Sequence, residues 1–433
     1  MSPYIHELAS PIGFLDILTP ESKGWIESRL KTYGHKEFSE DEEKFNDLKI
    51  VEVATLPKQT AFTKAIAIDG SLASVESPSV TVLKIASVWA DLTKEPIYVN
   101  GVLDPSSITK KYASEYSIGL IPGQGVFPKG KAGGWDTKLR EEFYQTFRNI
   151  KTHRSSRNLN LVAFLRGILA DYAAIHPLVC PNCASEKIDF SENNFETFCD
   201  SCKVDIYFTD FLSPSLFSVA GTATTPMLLA EQTLLQAIIH EVAKGNVADH
   251  NLENTLFIAD GPLRLFKLQE IAELFLGNLR RFRPRPAVVS FMKSGHIESI
   301  FSSEAAEESL LPGHVAIITE EMRGSRKGAV AKQANSGLYG KSFAYRTLDG
   351  SKRFGFMLPP MMGDLHLGGA PVLDDWAAYP HLRAICDFIE SNQSNENGPT
   401  AAALEIIGKA NRAASLPAVL SKKTLGELVH SFL

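Results

Sequence analysis

The 433-residue sequence contains no apolar run of the ~18 residues that a membrane-spanning helix requires. Its first residues, MSPYIHELASPIGF, lack the basic stretch followed by an apolar segment that marks a secretory leader. We therefore expect a cytoplasmic protein that does not enter a membrane.

Sequence motifs of several large enzyme classes are also missing. There is no P-loop, no Gly-x-Ser-x-Gly motif and no dinucleotide-binding fingerprint. The glycine-rich stretch IPGQGVFPKGKAGG lacks the Gly-Lys-Ser/Thr ending of a phosphate-binding loop. These absences weigh against a hydrolase or transferase on another α/β fold. The net charge of -6 argues only weakly against nucleic-acid binding, because a basic channel can lie inside an acidic protein.

Cysteine is scarce, but four of the five cysteines form the pairs CPNC and CDSC, separated by fifteen residues. Two close pairs of thiolates are typical of closed, tetrahedral zinc coordination, which leaves no position open for a substrate. We predict a structural zinc ribbon over 178–210 that presents a surface to DNA or to a partner protein. Its four ligands would be Cys180, Cys183, Cys199 and Cys202. The fifth cysteine, Cys386, lies on the apolar face of a predicted helix and is expected in the core.

Two apolar segments end in the same acidic dipeptide, Asp69-Gly70 in AIAIDGS and Asp260-Gly261 in FIADGPL. Asp-Gly is common in turns, but Pro262 disfavours an immediate hairpin, and both runs are typical of central strands. Carboxylates at the ends of adjacent strands repel each other unless a cation lies between them. We therefore predict that Asp69 and Asp260 bind Mg²⁺ or Mn²⁺. Two such ions can support phosphodiester hydrolysis, as in RNase H-like nucleases.

These two motifs, the helix between them and the helical C-terminal end resemble the NurA nuclease family, whose members partner HerA-type hexameric DNA-translocating ATPases. The resemblance implies an α/β fold with an RNase H-like mixed sheet flanked by helices. It also implies a Mn/Mg-dependent deoxyribonuclease that acts as a homodimer in DNA end repair or antiviral defence. Whether such an enzyme cuts from ends or internally stays open.

The resemblance leaves residues 95–215 largely unmatched, so the nuclease core is expected to carry insertions. We expect an N-terminal helical region over 1–60, a nuclease core over 61–94 and 215–433, and a helical and loop insertion over 95–177. The zinc ribbon at 178–210 would interrupt the core ahead of its central helix.

In an RNase H-like fold, a glutamate comes from the helix that precedes the second aspartate strand. Glu231 and Glu241 both lie on the helix predicted over 226–244. Because this helix runs antiparallel to the following strand, its first turns lie near Asp260, which favours Glu231 as the catalytic residue. Glu241 lies ten residues further along, roughly 15 Å away at the helical rise. A favourable interaction with the helix dipole explains Glu231 equally well.

A fourth ligand is expected late in the chain, near the start of a helix. The stretch VLDDWAAYPHLRAICDF offers Asp374, Asp375 and His381. His381 is favoured and Asp375 stays open as the ligand, although helix capping also accounts for the aspartates and a surface position for His381. Lys293 resembles the family's lysine and would bind a substrate phosphate, although an ordinary strand-end lysine fits as well. The basic loop RGSRKG could follow a DNA backbone. The alternative function is an RNase H-like scaffold without catalysis that binds DNA or protein through its zinc ribbon.

Overall fold

The fold is described from a computed structural model of the chain. The structure describes residues 49–76, 79–95, 98–99, 102–103, 110–122, 135–175, 178–190, 195–211, 224–265, 268–292, 309–318, 337–363, 375–393 and 404–415. Most of the helical region predicted over 1–60 lies outside these ranges. Its last part is not α-helical, because residues 49–52 form a strand and residues 53–55 a single 3-10 turn. No helix in the described part of the chain is long and apolar enough to cross a bilayer.

Among these residues, a nine-stranded mixed sheet forms the centre of the molecule, in the order β1-β11-β12-β13-β10-β9-β2-β3-β6. Its strands are β1 (Lys49–Glu52), β2 (Lys64–Glu76), β3 (Ser79–Asp91), β6 (Tyr112–Pro122), β9 (Thr255–Asp260), β10 (Ala287–Phe291), β11 (His314–Ile317), β12 (Lys341–Arg346) and β13 (Arg353–Leu358). Two short hairpins lie outside this sheet, β4 (Tyr98–Val99) with β5 (Val102–Leu103), and β7 (Glu196–Cys199) with β8 (Val204–Tyr207).

The connections at one end of the sheet confirm the predicted RNase H-like arrangement. Strands β2, β3 and β6 form an antiparallel meander. Helix α3 (Thr224–Ala243) then carries the chain to β9, which pairs in parallel with β2 on the side away from β3. Helix α4 (Gln269–Arg281) leads to β10, which is parallel to β9. A meander followed by a crossover helix thus places β2 and β9 side by side in the middle of the sheet.

Helices cover both faces of the sheet, which explains why its central strands are apolar without alternation. Ile66 and Ile68 of β2 belong to the core shared with α1 (Trp135–Asn149), α2 (Leu161–Ile175), α3 and α4. Ala65 and Ala67 belong to a second core shared with α5 (Leu382–Ser391) and α6 (Glu405–Ala414). Alternate residues of one strand therefore point to two different helical layers.

The segment 95–177, expected to be a helical and loop insertion, contains the long edge strand β6. The sequence of this strand, YASEYSIGLIP, lacks the continuous apolar run of a buried strand, because only one of its faces is packed. That face lies against α1, where Gly119 sits directly beneath the side chain of Thr146. The expected boundary of the core at residue 94 thus falls inside the β2-β3-β6 meander.

The hairpin β7-β8 packs on the helical layer and is not a separate tail. The guanidinium of Arg140 on α1 donates to both carboxylate oxygens of Asp210 and to the carbonyl of Asp205. The rings of Tyr144 and Tyr207 stack with centroids 5.2 Å apart. Because Arg140 and Asp210 are both largely buried, this charged contact fixes the hairpin firmly to α1.

Candidate active site and thiol cluster

Asp69 and Asp260 lie side by side on neighbouring strands. Ile68 of β2 pairs with Ala259 of β9, so the two aspartates are the next residues along strands whose backbones lie about 4.8 Å apart. Leu256 and Ile258 of β9 share the α5-α6 core with Ala65 and Ala67 of β2. By the period of two along each strand, the side chains of Asp69 and Asp260 project to that same face.

The two Asp-Gly dipeptides occupy different backbone settings. The second ends its strand as expected, because Gly261 turns away at φ +86° and donates its N–H to the carbonyl of Phe291. The first lies inside β2, which continues to Glu76. The expectation that the first strand ends at Asp69 is therefore wrong. We call the place where β9 stops and β2 continues the notch, formed by Asp69, Gly70, Asp260 and Gly261.

Glu231 reaches the notch from the opposite face of the sheet. A Cβ added to Gly70 would lie 2.4 Å from Glu231 Oε1, 2.8 Å from Ile85 Cδ1 and 2.9 Å from Met227 Cγ. The carboxylate thus occupies the space that any other side chain at position 70 would fill. Glu231 is 4% exposed, and it lies in the first turns of α3, as the antiparallel argument requires.

Glu241 is held at the other end of α3. Its Oε2 accepts hydrogen bonds from the hydroxyl of Ser155 and from Asn246 Nδ2, and the side chain is fully buried. These contacts tie the loop before α2 to the end of α3. Of the two glutamates left open by the sequence, Glu231 is the one at the notch.

His381 does not lie with the aspartates. It is the residue before α5, and its Nε2 lies 3.1 Å from the carbonyl oxygen of Arg285. Arg285 precedes β10 by two residues, and Phe291 at the other end of β10 pairs with Asp260. Six residues of strand separate the two levels, roughly 20 Å at the strand rise. Burial also lowers the pKa of His381, which favours a neutral, packed imidazole.

Asp375 has the local role that helix capping predicts. Its Oδ1 accepts the N–H of Ala377 at 3.0 Å and caps the short 3-10 helix 376–378. The ring of Trp376 lies 6.4 Å from that of Phe343, on a strand three places along the sheet from β9. Three other predicted positions lie outside the described residues, namely Asp374, Lys293 and the loop 323–328.

Two polar residues beside the notch were missed by sequence reasoning. Ser71 Oγ donates to the carbonyl of Ala414 at 2.5 Å, and Lys84 Nζ donates to the carbonyl of Ser415 at 3.2 Å. Both acceptors lie at the C-terminal end of α6, where a lysine complements the helix dipole. Burial lowers the pKa of Lys84. The sequence feature that could have identified them is the two-residue period of a strand, which puts Lys84 and Ser71 on the same face as Asp69.

The four cysteines of the predicted ribbon are gathered into one cluster. Their sulfur atoms all lie within 4.8 Å of one another, with Cys180 and Cys202 at 3.7 Å and Cys183 and Cys199 at 3.6 Å. A tetrahedron with zinc–sulfur bonds of about 2.3 Å has edges close to these lengths, whereas a disulfide would be about 2.05 Å. The donor set and its spacing therefore fit zinc.

Each cysteine pair lies on a tight turn of the same kind. The N–H of Ala184 bonds to the carbonyl of Cys180, and the N–H of Lys203 bonds to that of Cys199, both at 2.8 Å. Ala184 and Lys203 both adopt positive φ. Hydrogen bonds from the hydroxyl and the backbone N–H of Ser185 lower the pKa of Cys183 to about 6, which favours the thiolate that binds metal.

The carboxylates at the notch do not form a metal-binding group of the kind that the thiols form. Within the part of the chain that the structure describes, the four cysteines are the one group of three or more His, Cys, Asp or Glu side chains that could hold a metal ion. Like charges at the notch repel one another, so a spread arrangement is expected without a cation. Three carboxylates at this place nonetheless have the chemistry that Mg²⁺ and Mn²⁺ prefer.

Comparison with known proteins gives one structural similarity. No family model matches the chain, and no curated protein matches it. Among solved structures, the chain is similar to the NurA nuclease from Sulfolobus solfataricus. The alignment covers 100% of this chain and 99% of that one, with 14% sequence identity and a TM-score of 0.33. The RNase H-like assignment rests on the strand order and connections described above.

Proposed function

We propose that this protein is a metal-dependent DNA nuclease that hydrolyses phosphodiester bonds at the notch. The observation that carries the proposal is the register of β2 and β9, which puts Asp69 beside Asp260 on one face. Glu231 adds a third carboxylate over Gly70 from the other face. These three residues would hold Mg²⁺ or Mn²⁺. We leave His381 out of the proposed set, because its Nε2 lies against the carbonyl of Arg285, near the end of β10 that is far from Asp260.

The residues at the notch have different proposed roles, which follow from their positions. Bound divalent ions lower the pKa of a coordinated water and offset negative charge on phosphate oxygens. Asp69 and Asp260 are partly exposed, so a phosphodiester from solvent can reach them. Glu231, on the other side of Gly70, would accept a hydrogen bond from the attacking water and orient it. Lys84 adds a positive charge on the face where the two aspartates project.

The biological setting proposed here follows from the family resemblance in the sequence. It comprises a cytoplasmic homodimer, a HerA-type hexameric ATPase as partner, and DNA end repair or antiviral defence as the process. The zinc ribbon is assigned a structural role, because four cysteines complete the coordination and leave no open position. Its contact with α1 through Arg140 and Asp210 supports that role.

A second candidate function is a scaffold without catalysis that binds DNA or protein through the ribbon. The specific observation in its favour is that, among the described residues, the cysteines form a group of three or more side chains able to hold a metal ion, whereas the notch carboxylates do not. Exposed apolar side chains on the ribbon, Val179 and Phe198, would serve such binding.

The deciding experiment compares cutting of linear and closed-circular DNA in Mn²⁺, Mg²⁺ or EDTA by wild type and by Asp260→Asn. Asp375→Asn is the matched control, because asparagine also caps a helix and the same charge is removed. We expect the rate of DNA cutting to fall on the order of a hundredfold or more in Asp260→Asn only, since metal ions stabilise the charge of the transition state by several kcal/mol. The ratio of linear to circular cutting separates end trimming from internal cutting.

The opposite result would favour the scaffold. If wild type cuts neither DNA under any metal, with and without a HerA-type ATPase, the nuclease proposal is wrong. An equal loss of DNA cutting in Asp260→Asn and Asp375→Asn would show that the loss does not arise at the notch. Circular dichroism and zinc content are measured on each variant to confirm that it is folded.

A further inference from the structure

The edge strand β6 exposes a stripe of large apolar side chains. Tyr116, Ile118 and Leu120 are 58%, 48% and 50% exposed. They share one face of the strand, because Gly119 between them faces Thr146 of α1 on the other side. Exposed apolar side chains in a row on an edge strand are unusual unless they bind something.

This stripe is aligned with the notch. Tyr116 pairs with Ala86, Ala86 pairs with Asp69, and Asp260 follows on the next strand. These four residues form one row across the sheet, with their side chains on the same face. Two strand spacings separate Tyr116 from Asp69, roughly 10 Å. One or two extended nucleotides would cover that distance.

Lysine ammonium groups lie over tyrosine rings along β6. Lys84 Nζ is 4.6 Å from the ring centre of Tyr116. Lys409 Nζ of α6 is 5.7 Å from the ring of Tyr112, four residues earlier on the strand. Aromatic faces beside a line of cations are the features that bind single-stranded nucleic acid, through base stacking and phosphate attraction.

The alignment of the stripe with the notch favours single-stranded DNA as the ligand. Bases inside a duplex are already stacked and cannot offer a face to Tyr116 without being extruded. We propose that the Tyr116 ring stacks on a nucleobase of a single-stranded DNA segment that leads into the notch. This inference rests on the proposed nuclease function and adds that the substrate must present unpaired nucleotides next to the scissile phosphate.

The test measures binding and cutting separately. Fluorescence anisotropy in EDTA compares a 5′-labelled 12-nucleotide single strand and a blunt duplex of the same sequence, for wild type, Tyr116→Ala and Tyr116→Phe. We expect Tyr116→Ala to bind the single strand about tenfold more weakly, because one base–aromatic stack is worth that order of affinity. Tyr116→Phe should bind like wild type, and duplex binding should be unchanged in both.

A series of single abasic substitutions locates the stacked base. One abasic position should weaken binding to wild type and have no effect on Tyr116→Ala, since the partner of that base is gone. Phe198→Ala is the matched control, because Phe198 is an exposed aromatic residue on the ribbon with Lys203 Nζ 5.8 Å from its ring. Its affinity for the single strand should equal that of wild type.

Three outcomes would overturn the inference. Equal affinity of Tyr116→Ala and wild type for the single strand would show that Tyr116 is not a stacking site. Weaker binding by Phe198→Ala alone would assign the contact to the ribbon. A change in mass by light scattering for Tyr116→Ala with unchanged affinity would identify the stripe as a contact between copies of the chain. Metal-dependent cutting tests the nuclease proposal independently, because binding is measured without metal.

Discussion

The substitution Gly70→Ala tests whether the Glu231 carboxylate is positioned by the absence of a side chain at position 70. The added methyl group would lie under 3.0 Å from Glu231 Oε1, Ile85 Cδ1 and Met227 Cγ. Overpacking of this kind costs about 1–3 kcal/mol of unfolding free energy. Ile85 on β3 is buried and Met227 on α3 is partly buried, so we expect the carboxylate to move away from the notch. We therefore expect lower stability together with reduced cutting.

Two other glycines provide matched comparisons. A Cβ on Gly277 of α4 meets nothing within 4 Å, so Gly277→Ala should raise stability by about 1 kcal/mol through helix propensity. Gly261 also has open space but adopts φ +86°, so Gly261→Ala should cost about 1–2 kcal/mol through backbone strain alone. Gly261→Asn should recover part of that loss, because asparagine tolerates this conformation, whereas Gly70→Asn should be worse than Gly70→Ala.

Urea unfolding curves for the five variants give the free energies, and initial rates of DNA cutting in Mn²⁺ give the activities. Stability and cutting equal to wild type in Gly70→Ala would show that the empty space at Gly70 does not position Glu231. A loss of activity only in proportion to the loss of stability, in both Gly70→Ala and Gly261→Ala, would show the same, since crowding at Glu231 predicts an extra loss for position 70.

Further predictions concern zinc, a buried hydrogen bond and pH. Cys183→Ser should lower zinc from one ion per chain by elemental analysis, whereas Cys386→Ser should retain it, because Cys386 is a fully buried core thiol on α5. Tyr339→Phe should lower the unfolding free energy by about 1–3 kcal/mol in urea, because the Tyr339 hydroxyl donates to Gln232 next to Glu231; unchanged stability would contradict this. Since burial lowers the pKa of His381, the unfolded state takes up the proton first, and stability should fall as pH drops below ~6.5. The slope of unfolding free energy against pH should be shallower in His381→Gln, and an identical slope would show that His381 does not contribute.

Sequence reasoning located the central pair of aspartates because its physical premise was sound. Apolar runs identify strands that are buried on both faces, and a crossover helix between two such strands makes them neighbours. It failed on the end of β2, since Asp-Gly is a frequent turn dipeptide. The local preference is overridden by thirteen paired positions with β3, from Lys64 opposite Asp91 to Glu76 opposite Ser79. The glycine that suggested a turn instead makes room for a side chain 161 positions away.

The late part of the chain could not be placed from sequence, for a geometric reason. A proline and a capping residue indicate where in the sequence a helix starts. They do not indicate which strand, or which end of that strand, the start of the helix lies against. His381 and Asp375 satisfy the local pattern and lie away from the notch. Lys84 and Ser71 were overlooked because each is an ordinary polar residue until its strand is aligned with α6.

The bond from Ser71 to Ala414 joins residues separated by 343 positions in sequence. During synthesis, the strands that carry both aspartates emerge long before α6 does, and domains form as their parts become available. Closing so long a loop costs conformational entropy, and contacts between residues distant in sequence slow folding. A chain still on the ribosome therefore lacks the helix that packs beside Asp69. In the nuclease proposed here, the surroundings of Asp69 would be complete only after this helix has docked.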